Sequence, residues 1–414
     1  MYALIAIALA LALLIGLLHL KVNLGRSMLI SSISMAILLG VTPSEFWQTV
    51  VHEWHDKPLS QTTGYLFVTL TALVIMVNIL GTAMTETGVS QRLVPALHGL
   101  FRSRRFALLA IPFMMGMLPT PGGIMLSAPM VRDLGDHIGV QRDRQAAINF
   151  LFRHQWETVW PLYPAVLFVQ GMFGISAFAL ISHNMAIMLS GTLGGVIFLL
   201  LSGIPPKNKQ SRSNGKFTDN VRNFVHVFWP IALVAGLFAA LGVPPAIGLL
   251  LAIFIFLALH KVSLNRWPQI FKSGLELDFV LLILGALLFK LDLEAGRAVD
   301  SVVAVLFEMN VPKYLIIFFL PMLVALLTGV TMATVAITFP FLIPLIGTGP
   351  QAKVGLETLA FSGLVCGFLI TPVHLCLTLS AGYFKAPLSK IILRLLGPVV
   401  FVAGAGFLMA VFCG

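Results

Sequence analysis

The chain of 414 residues is strongly apolar, with 58% hydrophobic and only 10% charged residues, and its mean hydropathy is +0.97. This balance excludes an ordinary soluble domain, and the apolar runs continue to the end of the chain, so we predict an all-α polytopic membrane protein. The net charge is +10, and the basic residues that produce it lie in short loops beside apolar runs. Membrane orientation requires that pattern, so nucleic acid is not an expected partner.

Ten apolar runs are long enough to be transmembrane helices. They are 2–20, 27–41, 64–84, 146–170, 174–202, 224–241, 245–260, 277–290, 358–383 and 391–413. Two further apolar segments, 106–131 and 313–346, are interrupted in the middle by glycine, with proline in the first. A helix breaks at such residues, and irregular backbone survives in lipid only inside protein or beside a cavity. Both segments are therefore predicted to be re-entrant hairpins.

The charged loops predict an orientation in the cell (inner) membrane. The clusters at 21–26, 92–105, 132–144, 207–222, 261–272 and 385–394 are basic, whereas the loops at 42–61 and 292–308 are mainly acidic. Every basic cluster falls on the cytoplasmic side only if both interrupted segments return to the side from which they enter. Both chain termini are then predicted to lie outside.

The chain divides into two related halves, 1–203 and 224–414, joined by a polar linker at 204–223 that is predicted to be cytoplasmic. Three residue pairs share a separation of 211 positions: Pro129 with Pro340, Phe150 with Phe361, and Pro161 with Pro372. We therefore predict an inverted-topology repeat, with one hairpin entering from each side of the membrane.

Both hairpin tips combine hydroxyl groups with glycine. The first tip contains Thr120, Pro121, Gly122 and Gly123, and the second contains Thr328, Gly329, Thr331 and Thr334. A broken helix presents free N–H groups and a partial positive charge where it restarts, which suits a carboxylate or another anion. The alternative is a simple kink, or a threonine bonded to its own helix.

A polar interruption lies in the apolar run that follows the first hairpin, at Asn149, Arg153, His154 and Glu157. On a helix the last three residues would share a face. Ionisable residues at membrane depth are costly, so they should face a cavity or one another. Arg153 could then hold an anion while His154 and Glu157 exchange protons. Alternatively, an Arg153–Glu157 pair near the inner interface fixes the orientation of the helix.

The corresponding run after the second hairpin contains Thr371, Pro372 and His374. Pro372 should break the helix and free carbonyl groups near Thr371 that could coordinate a cation such as Na⁺. His374 is either a pH-sensitive group or a satisfied core histidine. Asn78, in the middle of its own run, is a weaker candidate for lining the cavity.

Other polar and sulfur-containing residues are given structural interpretations. Lys290 with Asp292 is interpreted as a snorkelling helix end. Cys366, Cys376 and Cys413 lie in apolar runs and are interpreted as small buried hydrophobic residues.

Three stretches of the chain resemble those of a known family: LPTPGGIMLSAPMV at 118–131, FRHQWETVWPLYP at 152–164 and TPVHLCLTLSAGYFKA at 371–386. They resemble the prokaryotic membrane family catalogued as domain of unknown function 401, grouped with the ion-transporter superfamily of gluconate, citrate and dicarboxylate carriers. The resemblance covers essentially the whole chain. It implies an inverted-repeat carrier, usually a homodimer, in which a transport domain moves against a scaffold.

The resemblance also implies that the two hairpin tips hold substrate and ions. By position, 120–123 and 328–334 match the tips of relatives, but sodium–dicarboxylate carriers have Ser-Asn-Thr there, whereas the tips here are Pro-Thr-Pro-Gly-Gly and Thr-Gly-Val-Thr. This departure leaves both sodium coupling and dicarboxylate specificity open, because membership of a fold does not supply a substrate.

The sequence favours a secondary active transporter of a small anionic organic solute, driven by H⁺ or Na⁺ through alternating access. An intramembrane enzyme acting on a lipid-linked substrate, with His154 and Glu157 as its acid–base pair, is a second hypothesis, and a channel is a third. The sequence has no GxSxG, GxxxxGK[ST] or CxxC motif, so we expect no enzyme, no cofactor and no metal beyond a possible Na⁺.

Overall fold

The computed structural model describes residues 2–89, 103–117, 124–202, 204, 217–298 and 311–414. All regular structure in these ranges is helical. The α-helices of the first half are α1 (Tyr2–His19), α2 (Leu24–Leu39), α3 (Pro43–Asp56), α4 (Thr63–Glu86), α5 (Arg104–Met115), α6 (Ile124–Asp136), α7 (Arg142–Arg153), α8 (Pro164–Phe173) and α9 (Ala177–Gly195). Those of the second half are α10 (Phe217–Leu241), α11 (Pro245–Leu259), α12 (Trp267–Ser273), α13 (Leu277–Ala295), α14 (Lys313–Thr328), α15 (Thr331–Ile346), α16 (Val354–Ile370), α17 (Leu375–Phe384) and α18 (Leu388–Cys413).

Several of these helices can cross a membrane. Five segments in the described ranges are long and apolar enough: Thr63–Glu86, Ala177–Leu201, Thr218–Leu241, Val354–Phe384 and Leu388–Cys413. A sixth is obtained if α2 and α3, which meet at a bend of 110°, are counted together. The chain is therefore a multi-pass helical membrane protein, and these five segments coincide with five of the ten predicted runs. Shorter apolar helices, such as Pro245–Leu259, cover other runs.

The predicted span at 146–170 is not one helix. Helix α7 ends at Arg153, a 3₁₀ segment follows at His154–Thr158, and α8 begins only at Pro164. Pro161 and Pro164 explain the break, since proline is excluded from a helix interior but accepted at a first turn. The run at 358–383 breaks as expected at Pro372, between α16 and α17.

The helices pack into two groups. The scaffold group contains α1–α4 and α10–α13, and its central contact is between α2 and α13. The core group contains α5–α9 and α14–α18, and α18 packs there against α7, α9 and α16. The two groups touch where α4 meets α8 and where α13 meets α15. Each group takes helices from both halves of the chain.

Small residues let the central helices of each group approach closely. A Cβ on Gly285 of α13 would come within 2.7 Å of the Leu29 amide nitrogen in α2, and the Ser32 hydroxyl donates to Asp292 at 2.7 Å in the same contact. In the core group, a Cβ on Gly363 of α16 would overlap the backbone of Phe318 in α14. Small side chains are the usual means of tight helix packing in membranes.

Lys290 is buried rather than snorkelling, so that interpretation was wrong. It is 2% exposed, and its Nζ lies 2.6 Å from Glu53 Oε1 of α3. Lys57 Nζ contacts the same oxygen at 3.0 Å. Burial alone would raise the pKa of Glu53, but Lys290 and Lys57 outweigh it and hold that pKa at about 2. The partner of Lys290 lies 237 positions away, so no local pattern indicates it.

Candidate functional site

A cavity of about 340 Å³ lies between the scaffold and core groups. The scaffold wall is formed by α4 and α13 and is largely apolar: Val74, Val77, Asn78, Phe279, Leu282 and Ile283. The core wall is formed by residues at or beside three breaks between helices, and these residues lie within 153–165, 329–332 and 373–376. A cavity of this size can hold a small organic solute.

The first break supports the C-terminal end of α5. Its side chains donate to backbone carbonyls there: Arg153 Nη1 to Met115 at 2.8 Å, Trp156 Nε1 to Phe113 at 2.9 Å, and the Tyr163 hydroxyl to Gly116 at 2.7 Å. The last carbonyls of a helix have no partner within it, so these bonds satisfy them. Arg153 is 4% exposed and lines the cavity from this position.

The second break lies between α14 and α15. Gly329 ends α14 in the left-handed conformation, with φ of +65°, and Thr331 begins α15. The Thr331 hydroxyl donates to Glu157 Oε2 at 2.7 Å, which links this break to the first. Because the first N–H groups of a helix lack intrahelical partners, α15 presents hydrogen-bond donors here.

The third break, at 371–374, closes onto the other two. The Thr371 hydroxyl donates to the Leu326 carbonyl, and His374 Nδ1 bonds to the Gly329 carbonyl. His374 Nε2 lies 3.2 Å from His154 Nε2 of the first break. The breaks of both halves therefore meet in one polar cluster.

The structure places the predicted residues in three categories. Lining the cavity are Asn78, Arg153, His154, Glu157, Gly329, Thr331 and His374. Outside its lining are Asn149, Thr328, Thr334 and Thr371, whose side chains bond to protein. Thr120, Pro121, Gly122 and Gly123 lie outside the described residues. A binding role stays a prediction for all of them.

Asn149 illustrates the second category. It is fully buried, its Oδ1 accepts from the Ser127 hydroxyl at 2.6 Å, and its Nδ2 donates to the Ile124 carbonyl at 3.2 Å. These bonds hold the start of α6 at Ile124. Asn149 therefore has a structural role at the first described turn of α6.

Sequence reasoning missed Cys376. Its Sγ lies with His154 and His374 ring nitrogens in a group whose atoms are all within 4.8 Å of one another, a set that could hold a metal ion. The residue follows His374 closely in sequence, but His154 lies 220 positions from His374. Only the folded arrangement brings the three together.

The comparisons with known proteins agree with the helical membrane fold. Residues 3–412 match the family described as Protein of unknown function (DUF401). The chain belongs to this family. The comparison with curated proteins gives no significant match.

Among solved structures, the chain is similar to the Alcanivorax borkumensis YdaH transporter, whose structure is described as having an unusual topology. The TM-score is 0.60 and the sequence identity 15%, over 84% of this chain and 87% of that chain. At this identity the likeness shows a shared fold. The wider placement of DUF401 in the ion-transporter superfamily stays a prediction.

Proposed function

We propose that this DUF401 protein is a secondary active transporter that moves a small, carboxylate-bearing organic solute across the inner membrane, coupled to H⁺ or Na⁺. The observation that carries the proposal is the unequal division of the cavity wall. The scaffold side is apolar apart from Asn78, whereas the core side supplies Arg153, Glu157 and Thr331, the last at the start of α15. A carboxylate would be held by the core group alone.

This division supports an elevator-type alternating-access mechanism. A solute held by one group can move with that group past an apolar wall, without exchanging polar contacts on the way. Among the described residues, the main contacts between the two groups are those of α4 with α8 and of α13 with α15. Rigid-body movement of one packed group against another is a common form of conformational switching.

The inverted-topology repeat is part of the proposal, with ten transmembrane helices, two hairpins, external termini and a cytoplasmic linker. It is supported by helix boundaries that keep the sequence register. Helix α8 begins at Pro164 and α17 at Leu375, and α9 begins at Ala177 and α18 at Leu388. Each pair is 211 positions apart, the separation seen in the sequence pairs.

Helix contacts also occur in matched pairs. Helix α2 packs on α13 as α11 packs on α4, and α7 packs on α18 as α16 packs on α9. A pseudo-two-fold axis relating the halves would produce these pairs. We further propose a homodimer formed through the scaffold group, since an elevator needs a stationary partner for its moving group.

Transport is tested in proteoliposomes loaded with succinate, citrate or gluconate as counter-solute. We expect uptake of at least one radiolabelled carboxylate that an inward Na⁺ or H⁺ gradient accelerates and that saturates with concentration. The absence of gradient-dependent uptake for every solute whose binding stabilises the purified protein would contradict the proposal. Linear, non-saturating flux would indicate a channel.

The elevator is tested by cross-linking across the cavity in a variant without native cysteines. Leu282→Cys in α13 with Met332→Cys in α15 places thiols on opposite walls. We expect oxidation to stop uptake and reduction to restore it. The control pair Phe198→Cys and Phe401→Cys replaces two rings 5.9 Å apart within the core group, and its cross-link should leave uptake unchanged. Uptake that persists in the first cross-linked protein would exclude movement between the groups.

A further inference from the structure

We propose that His154, His374 and Cys376 bind one divalent transition-metal ion of the Zn²⁺ class inside the core group. The site would join the first break of the chain to the third, and therefore the two halves. Metal binding at this site is measured on the purified protein without a transported solute. The proposed site can therefore be tested independently of the proposed transport function.

The tautomers of the two histidines are the first argument for a metal ion at this site. His154 Nδ1 lies 2.7 Å from the Phe150 carbonyl oxygen, and His374 Nδ1 bonds to the Gly329 carbonyl oxygen. A carbonyl oxygen only accepts, so both Nδ1 atoms are protonated donors. In the neutral rings both Nε2 atoms then carry lone pairs, and these two atoms face each other at 3.2 Å. Two lone pairs repel at that distance unless a cation lies between them.

The spacing fits a tetrahedral metal ion. Zn–N bonds of about 2.0–2.1 Å at the tetrahedral angle separate two nitrogens by about 3.3 Å, close to the observed 3.2 Å. The Nδ1 bonds add the expected outer contacts, because metal-bound histidines usually donate their second ring N–H to a carbonyl or carboxylate. Both rings are therefore oriented as ligands.

Cys376 supplies the third ligand and selects the class of ion. All three donor atoms lie within 4.8 Å of one another, and both histidines are buried. Imidazole and thiolate favour Zn²⁺, Co²⁺ or Cu⁺ over Na⁺ or Mg²⁺, which prefer oxygen.

Glu157 is the candidate for a fourth ligand, and it lies beside the three donors that are all within 4.8 Å of one another. Glu157 Oε1 lies 3.7 Å from His154 Nε2, while Glu157 Oε2 accepts from the Thr331 hydroxyl. A ligating carboxylate is usually held by such a hydrogen bond. One thiolate and one carboxylate also balance a divalent charge, which matters because an uncompensated charge is costly at this depth.

The competing explanation is a proton shared between the two Nε2 atoms. A shared proton also removes the lone-pair repulsion, but it makes no use of Cys376. The two explanations therefore differ in the behaviour of the thiol, and the experiments below measure both the metal and the thiol.

The first experiment measures metal content. The full-length protein, purified with a chelator and then dialysed against ZnCl₂, should hold close to one zinc per chain by mass spectrometry. His374→Asn and Cys376→Ser should each weaken zinc binding by at least about tenfold, since even outer partners of metal ligands contribute 10–100-fold.

A second histidine pair in the chain provides the matched control. His226 Nε2 lies 3.1 Å from His260 Nε2 on the exposed surface, and this pair is not part of the three-residue group of possible metal ligands found among the described residues. The double variant His226→Asn, His260→Asn should keep its zinc. Zinc lost from this variant but retained by His374→Asn would overturn the proposal.

The second experiment uses the unmodified chain, so it does not depend on whether variants fold. Zinc should slow alkylation of Cys376 by N-ethylmaleimide, with exposed Cys413 as the internal reference whose rate stays unchanged. Co²⁺ should give a thiolate charge-transfer absorption that zinc abolishes. Equal alkylation of Cys376 with and without zinc, and no cobalt band, would refute the metal site.

Discussion

Gly329 lies against the backbone of His374, so that a Cβ at position 329 would come within 2.9 Å of the His374 amide nitrogen. Gly329 also has a φ of +65°, which other residues rarely adopt. This contact fixes the distance between the second and third breaks, and the His374 ring bond to the Gly329 carbonyl depends on it.

Gly329→Ala should destabilise the protein more than backbone strain alone predicts. We expect a loss of about 2–4 kcal/mol, combining the cost of the left-handed conformation with that of overpacking. Gly40 is the control, since it also ends a helix at φ +69° but has no atom within 4 Å of an added Cβ. Gly40→Ala should cost about 1 kcal/mol. Equal losses of thermal stability in detergent would show that the contact with His374 is unimportant.

Asn78→Leu should stabilise the fold and leave the affinity for the solute unchanged. The Asn78 Nδ2 atom is buried and finds no hydrogen-bond partner among the residues that the structure describes. Replacing an unsatisfied buried amide with a similar apolar side chain should stabilise the protein by about 1 kcal/mol. Because the proposed contacts to the carboxylate all come from the core group, the apparent affinity for transported carboxylate should stay unchanged.

The matched variant for that prediction is Asn149→Leu, which removes an amide that does have partners. It should cost about 2–3 kcal/mol, because the Ser127 hydroxyl and the Ile124 carbonyl lose their bonds in a buried place. Thermal unfolding of both variants, together with uptake kinetics, separates the two roles. An Asn78→Leu protein that is destabilised as much as Asn149→Leu would contradict the assignment of Asn78 to the cavity.

Thr331→Val should destabilise the cluster by about 1.5–3 kcal/mol, the usual contribution of a hydrogen bond to a charged group. The change keeps the shape of the side chain but removes the donor to Glu157 Oε2. Thr338→Val is the control, since that buried hydroxyl bonds only one turn back, to Thr334 of its own helix. It should cost less than about 1 kcal/mol. The comparison is made by thermal unfolding at one pH.

Glu53→Gln should destabilise the protein by about 3 kcal/mol at neutral pH, since it leaves Lys290 buried without its closest partner. The pKa of Glu53 is about 2 in the folded protein, below its ordinary value of 4.5. The stabilisation is therefore complete above pH 4.5 and is lost as the pH falls towards 2. When unfolding is measured from pH 7 to pH 2, the free energies of unfolding of the wild-type protein and of Glu53→Gln should converge between pH 4.5 and pH 2. A difference that does not change with pH would contradict the ion pair as its cause.

Much of the candidate site could be predicted from the sequence, because its parts depend on local chemistry. Prolines and glycines locate the described breaks at Gly329 and Pro372, and the 211-residue separation anticipates where α8 and α17 begin. Polar residues in apolar runs are costly, which is why Asn78 and Arg153 could be expected beside a cavity.

The rest could not be predicted, because it depends on which distant segments meet. Lys290 has the pattern of a helix-end lysine, and only the fold brings Glu53 to it. Cys376 looks like any buried cysteine until His154 is placed beside His374. The 146–170 run has the length of a span, and the break within it follows from Pro161 and Pro164 together with the bonds that its polar residues make to α5.

The exchange of helices between the two groups has a consequence for biogenesis. When the first half of the chain leaves the ribosome, α2 has no α13 and α9 has no α18, although these are central contacts of the scaffold and core groups. The small residues at these contacts, among them Ser32 and Gly194, must then face lipid until the second half is inserted. Neither half contains a complete group, so the scaffold group can be completed only after α13 is made and the core group only after α18 is made.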